Sequence, residues 1–188
     1  MAELIEQDII RELYESVDSQ TTVHVGRVAN YDVWDVTLPD GRKAKREIIR
    51  HPGAAAVIPV DEDGYVTMVY QFRHPVSRVT LEIPAGKKEY GEDPLVCAER
   101  ELQEEVGLKA GKMQLLTELA SSPGIFDERI FIYLATDLTP CDVNPDEDEF
   151  LNIKKFHLSE LVDRVMRNEI QDSKTIVAIM MANQIFNK

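Results

Sequence analysis

The stretch Gly86 to Leu108, GKKEYGEDPLVCAERELQEEVGL, decides how the rest of this 188-residue chain is read. From Asp93 to Val106 the apolar residues Leu95, Ala98, Leu102 and Val106 recur at helical spacing, with Pro94 in the first turn and Gly107 just past the end. That pattern predicts an amphipathic helix. Glu101, Glu104 and Glu105 lie three and four positions apart, so at about 100° per residue they form one acidic stripe beside the apolar stripe. Like charges one turn apart cost an isolated helix roughly 0.2–0.5 kcal/mol per pair. A bound cation reverses that cost. Oxygen ligands with no His or Cys nearby suit a hard ion, Mg²⁺ or Mn²⁺, which keeps several waters and shares its shell with phosphates. The bland alternative is a solvated Glu-rich face, and the stripe alone does not choose between the two.

The spacing chooses. Gly86 is followed by five residues, Glu92, seven residues, Arg100-Glu101-Leu102, one residue, Glu104-Glu105, one residue, and Gly107-Leu108. This resembles the Nudix hydrolase family, whose signature GX5EX7REUXEEXGU (U apolar) is met at every fixed position. The resemblance implies an α+β fold, the Nudix-type α/β/α sandwich with a mixed sheet, and splitting of a diphosphate linked to another moiety. It also implies that Glu101, Glu104, Glu105 and the backbone carbonyl of Ala85 serve a metal site, and that Glu92 braces the loop. Arg100, set among these acids, is expected to orient a glutamate through a charge-assisted hydrogen bond.

Residues outside this stretch narrow the resemblance. Leu81-Glu82-Ile83-Pro84-Ala85-Gly86 leads into it, and Pro123, within Ser121-Ser122-Pro123-Gly124, lies fifteen residues past Leu108. Both resemble the ADP-ribose pyrophosphatase subfamily, which implies metal-dependent cleavage of ADP-ribose to AMP and ribose 5-phosphate. The alternatives are a broader nucleoside-diphosphate-sugar pyrophosphatase and a non-catalytic ADP-ribose sensor, the latter disfavoured because the acids are all kept. By the same resemblance, Arg46, Glu47, Arg73, Glu82, Ser122 and Glu128 contact substrate, Glu128 near the terminal ribose. A fixed guanidinium at Arg73, closing an apolar strand, suits phosphate better than a lysine does. Tyr31 and Trp34 are candidates for holding adenine. In the acidic run Asp146-Glu147-Asp148-Glu149, Glu147 is expected as general base and Glu149 as a further metal ligand.

A formal net charge of −13 argues against nucleic acid or an anionic membrane as partner. It repels a phosphorylated substrate too, which makes the divalent cation a requirement. Two cysteines, Cys97 and Cys141, give no disulfide framework and no zinc spacing. The start lacks a basic and apolar leader, and no apolar run reaches membrane-spanning length, so a cytoplasmic protein is expected.

In chain order, the apolar residues from Leu4 to Val17 predict one short helix. The β-branched and aromatic pattern from Thr21 to Leu38 predicts two strands, Asp40-Gly41 a hairpin turn and Lys43 to Arg50 the returning strand. His51-Pro52-Gly53 marks a boundary between residues 1–50, a small antiparallel N-terminal sheet with its helix, and residues 51–188, the hydrolase domain. The resemblance implies a homodimer that exchanges this first segment. Further strands are expected over Ala54–Val60, Tyr65–Phe72, Thr80–Pro84, Leu115–Ala120, Ile130–Ala135 and Phe150–Phe156. Helices are expected over Ser159–Asn168 and Ser173–Phe186, the last with Ile176, Ile179, Met180, Asn183 and Ile185 on its packed side.

Overall fold

The computed structural model describes residues 7–143 and 150–187. It divides into two compact units. One runs to His51 and takes in Ser122–Glu128; the other consists of Pro52–Ser121 and the chain from Arg129 onward.

In the first unit a helix, α1 (Gln7–Leu13), precedes an antiparallel sheet ordered β1 (Ser16–Val25), β2 (Asn30–Thr37), β3 (Lys43–Arg50). The β2–β3 hairpin closes where the Asp40 carboxylate accepts from the Arg42 N–H at 3.1 Å and Gly41 takes φ 85°, which costs a residue without Cβ little. Val17 was expected on the helix but lies in β1. The residues after Ser16 (Val17, Thr21, Thr22, Val23, Val25) are β-branched and favour a pleated strand. The helix left before them makes under two turns and buries none of its side chains. Ser122–Glu128 lies along the end of β3: the Ile49 N–H donates to the Ile125 carbonyl at 2.8 Å, and the His51 N–H donates to the Asp127 carboxylate at 2.7 Å.

The second unit holds two sheets. One is mixed, ordered β7 (Ala85–Lys87), β4 (Ala54–Pro59), β9 (Arg129–Pro140), β8 (Leu108–Ala120), with only β4 and β9 parallel. The other is antiparallel, ordered β10 (Asn152–His157), β5 (Tyr65–Arg73), β6 (Arg78–Glu82). Helices α2 (Pro94–Val106), α3 (Leu158–Met166) and α4 (Ser173–Phe186) complete it. β4 is apolar throughout because both its faces are covered. Ala55 and Val57 point to a core shared with Cys97, Ala98 and Leu102 of α2, while Ala56 and Ile58 point to a core shared with Leu161 of α3 and Ala178 and Ile179 of α4. Period-2 alternation along one strand thus puts helices on both sides of the sheet, the α/β/α layering of an α+β fold.

Two helix faces differ from expectation. On α2, Leu95 is exposed, and the buried arc runs through Cys97, Ala98, Glu101, Leu102, Glu105 and Val106. The polypeptide of β7 covers the two glutamates, and its backbone supplies a donor to one of them. On α4 the buried residues are Lys174, Thr175, Ala178, Ile179 and Ala182, with Met180 and Ile185 exposed. Strand β8 begins at Leu108 rather than Leu115: Leu108, Ala110 and Met113 of its first half pack against the α2-side core, while Lys109, Gly111 and Lys112 are exposed.

Candidate functional site

The signature helix is fixed at both ends. The Asp93 side chain accepts from the Leu95 N–H at 2.8 Å, Pro94 fills the first helical position, and Gly107 closes the helix at φ 64° with its N–H on the Gln103 carbonyl at 3.0 Å. Between them one guanidinium organises the acids. Arg100 Nη1 donates to Glu101 Oε1 at 2.6 Å and Glu104 Oε2 at 2.9 Å; Nε donates to Glu92 Oε1 at 3.2 Å, and Nη2 to the Lys87 carbonyl at 3.3 Å. The Glu89 N–H donates to Glu92 Oε2 at 2.8 Å, so Glu92 ties the loop to the helix. Burial pushes the Glu92 carboxyl up, but Arg100 and the Glu89 N–H outweigh it and hold it below the usual carboxylate range.

Glu101 and Glu105, 7% and 3% exposed, are the buried acids of the stripe. The Ala85 N–H donates to Glu105 Oε2 at 3.0 Å. A Cβ placed on Gly86 would stand 2.0 Å from Glu101 Oε1, so only glycine lets the strand approach that carboxylate. Cys97 packs beneath, its thiol pushed up to about 12, chiefly by burial, which disfavours the thiolate.

The set holds four carboxylates (Glu92, Glu101, Glu104, Glu105) against one guanidinium, all oxygen donors. Its charge and chemistry fit a hard divalent cation. Among the described residues no three acids, histidines or cysteines converge as metal ligands. Glu101 and Glu104 each give an oxygen to Arg100. The expected base Glu147 and ligand Glu149 lie outside the described residues.

The other residues expected at the site divide between the units. In the second, Glu82 is buried, and both its oxygens are engaged: Arg73 Nε and Nη2 donate to them at 2.9 and 2.7 Å, the Thr80 hydroxyl at 2.6 Å, and Lys174 Nζ also donates. Burial pushes the Glu82 carboxyl up, yet the two cations and the hydroxyl bring it down to about 2. Glu82 thus holds Arg73. In the first unit, Arg46 makes a two-bond pair with Glu15, at 3.0 and 2.6 Å, and the Tyr31 hydroxyl is pushed up by burial and by Glu47. Trp34 donates from Nε1 to Asp32 at 3.3 Å, with the Arg50 guanidinium 5.5 Å from its ring. Ser122 is exposed, its carbonyl accepting from Ile125 and Phe126, and Glu128 Oε1 lies 3.3 Å from His51 Nδ1.

Sequence reasoning missed Lys174 and Asp172. One signal was available: a lysine beside the N-cap aspartate of an apolar helix opposes the helix dipole, and such a placement asks for a nearby anion.

The NUDIX domain profile matches residues 49–177. The chain is 45% identical over 156 residues to a methanol dehydrogenase activator of Bacillus methanolicus, covering 82% of this chain and 84% of that protein. It is 41% identical over 172 residues to an ADP-ribose pyrophosphatase of Bacillus subtilis, covering 90% and 93%. A crystal structure of an ADP compounds hydrolase superposes with a TM-score of 0.80 at 23% identity, over 92% of this chain and 94% of that one, a likeness of fold.

Proposed function

The chain belongs to the Nudix hydrolase family, and from that premise we propose that it hydrolyses ADP-ribose to AMP and ribose 5-phosphate. The observation that carries this reading is the pair of buried acids, Glu101 and Glu105, under a Gly86 strand that admits no side chain. Enzymes of this family generally depend on a divalent metal. In this reading Glu101, Glu104, Glu105, the Ala85 carbonyl and Glu149 hold Mg²⁺, with Mn²⁺ as the substitute. When bound, that ion neutralises charge growing on the phosphate oxygens and lowers the pKa of the attacking water. Arg100 orients Glu101 and Glu104, and Glu147 accepts a proton from the water. One oxygen adds to a diphosphate phosphorus, the bridging P–O bond breaks, and the leaving phosphate keeps the bridging oxygen. Arg73 binds the diphosphate, Glu82 acting through it. Arg46, Glu47, Ser122 and Glu128 serve the rest of the substrate.

Residues 1–50 form a dimerisation segment and residues 51–188 the hydrolase domain of this proposed homodimer. Support comes from α1, which buries nothing, and from Leu13 at 71% exposed beside exposed Ile9, Ile10 and Tyr14. An apolar helix face of that kind is expected to be covered by a second copy. The proposed compartment is the cytoplasm; no described helix is long and apolar enough to cross a membrane.

One observation favours a second reading, a broader nucleoside-diphosphate-sugar hydrolase. One candidate for reading the base, Trp34, is already engaged with Asp32 and Arg50. Turnover with Mg²⁺ on ADP-ribose, ADP-glucose, GDP-mannose, NADH and diadenosine polyphosphates, side by side, decides. ADP-ribose is expected to have the highest kcat/KM; a wide margin for another compound overturns the substrate assignment.

A further inference from the structure

The register of β5 and β6 pairs Val69 with Glu82, Gln71 with Thr80 and Arg73 with Arg78. These pairs share one sheet face, so the Arg73 side chain reaches back along that face to meet Glu82. Its Nε and Nη2 are used there, while Nη1 makes no hydrogen bond among the described residues. Arg73 keeps 40% of its side chain in solvent; Glu82 keeps 3%. Lys174, itself 8% exposed, donates to the same carboxylate and to Asp172 Oδ2 at 3.0 Å. Asp172 also accepts from the Thr175 N–H at 3.0 Å and the Thr175 hydroxyl at 2.6 Å. The Thr175 oxygen in turn accepts from the Ile83 N–H at 3.0 Å. The start of α4 is thereby joined both to Arg73 and to the strand end that leads into Ala85 and Gly86.

A folding role explains this poorly. A cation in the first turn of a helix opposes the helix dipole, and a buried ion network is generally no more stabilising than apolar packing of the same volume. The network is also balanced, two cations against two carboxylates, and only Arg73 reaches well into solvent. A guanidinium held by two parallel bonds is fixed in plane and direction, as recognition of a phosphate oxygen requires. We propose that Lys174 and Glu82 are positioning residues that hold Arg73 in one orientation, with Nη1 left for the diphosphate of a nucleoside diphosphate sugar. This rests on the function proposed above.

The test is a double-mutant cycle on the full chain. Lys174→Met and Thr80→Val are each made alone and together with Arg73→Ala. The readouts are KM and kcat for ADP-ribose with Mg²⁺, Kd for an ADP-ribose analogue with a methylene-bridged diphosphate, and Tm. Lys174→Met is expected to raise that Kd about tenfold with Arg73 present and less than about twofold without it, because a residue acting only through Arg73 then has nothing to act on. KM should rise by more than kcat falls. Thr80→Val removes a hydrogen bond and no charge, so it folds even if Lys174→Met does not, and its smaller effect should likewise vanish without Arg73. Equal factors on both backgrounds mean that the network only supports the fold, and overturn the inference while leaving the function intact. A wild-type protein that neither binds the analogue nor splits any nucleoside diphosphate sugar overturns both.

Discussion

Replacing Gly86 by alanine adds one methyl group at the point of closest approach between β7 and α2. Gly86 is not among the residues with positive φ, so its backbone accepts an L side chain and the only obstacle is what the Cβ meets. That is the Glu101 carboxylate, with Oε1, Cδ and Oε2 at 2.0, 2.1 and 2.4 Å. To reach the 3.4 Å at which ordinary van der Waals contact begins, Oε1 must withdraw by about 1.4 Å. It then leaves its 2.6 Å bond to Arg100 Nη1. A displacement of about 1 Å in a positioned group is enough to cost on the order of a hundredfold in rate. Overpacking the strand–helix contact should cost a further 1–3 kcal/mol or so of stability. The assay is AMP release across a Mg²⁺ titration, with Tm recorded alongside. Gly86→Ala should lower kcat about a hundredfold and move half-activation to higher Mg²⁺. Adding Glu101→Asp, which shortens the side chain by one methylene, should restore part of the rate. Gly41→Ala is the control: φ is 85° there and nothing lies within 4 Å, so it should lose about 1 kcal/mol and keep its metal dependence. A Gly86→Ala enzyme with wild-type kcat and an unshifted Mg²⁺ curve would refute the claim that the Glu101 carboxylate in this position serves the metal.

Glu105→Gln keeps an oxygen for the Ala85 N–H but removes the charge, so the fold should persist while kcat falls by about a hundredfold or more; an unchanged rate removes Glu105 from the site. The Glu82 carboxyl is depressed from 4.5 to about 2, which corresponds to roughly 3 kcal/mol of stability present above pH 4.5 and lost as pH falls through 4.5 towards 2. Denaturant titrations from pH 6 to pH 2 should therefore show wild type losing more stability than Glu82→Gln; parallel curves sink this assignment. Leu13→Glu, placing a charge on the bare face of α1, should shift sedimentation of the full chain from dimer towards monomer. If wild type already sediments as a monomer at micromolar concentration, the face has some other use.

What was legible in the sequence was mostly local. Asp93-Pro94 and Gly107 punctuate α2 within a few residues of backbone, and β3 and α4 begin and end where turn and capping residues put them. β4 was legible as well, since a strand covered on both faces must be apolar at every position, and Ala54 to Pro59 is. The start of β1 was less so, because Val17 fits a helical stripe as well as a pleat. The choice between them depends on pairing with Val36, nineteen positions on.

The misreadings at the site have one physical origin. Periodicity sorts residues by type, so it puts Leu95 and Met180 in the core, where the fold leaves them exposed, and it is silent on which charges, Glu101, Glu105 and Lys174 among them, are buried. Burial of a charge depends instead on whether a distant segment brings a partner: Ala85 N–H for Glu105, twenty positions away, and Glu82 for Lys174, ninety-two away. An unpartnered buried charge costs far more than an exposed leucine, so the chain puts its charges inside only where donors and acceptors already wait. That links the two halves of the site. Glu82 ends β6 and Ala85 begins β7, so the same short turn supplies the anion that holds Arg73 and the backbone donor that holds Glu105. A substitution that shifts Ile83 or Pro84 should therefore disturb phosphate binding and metal dependence together, whereas changes at Lys174 or Glu104 should separate them.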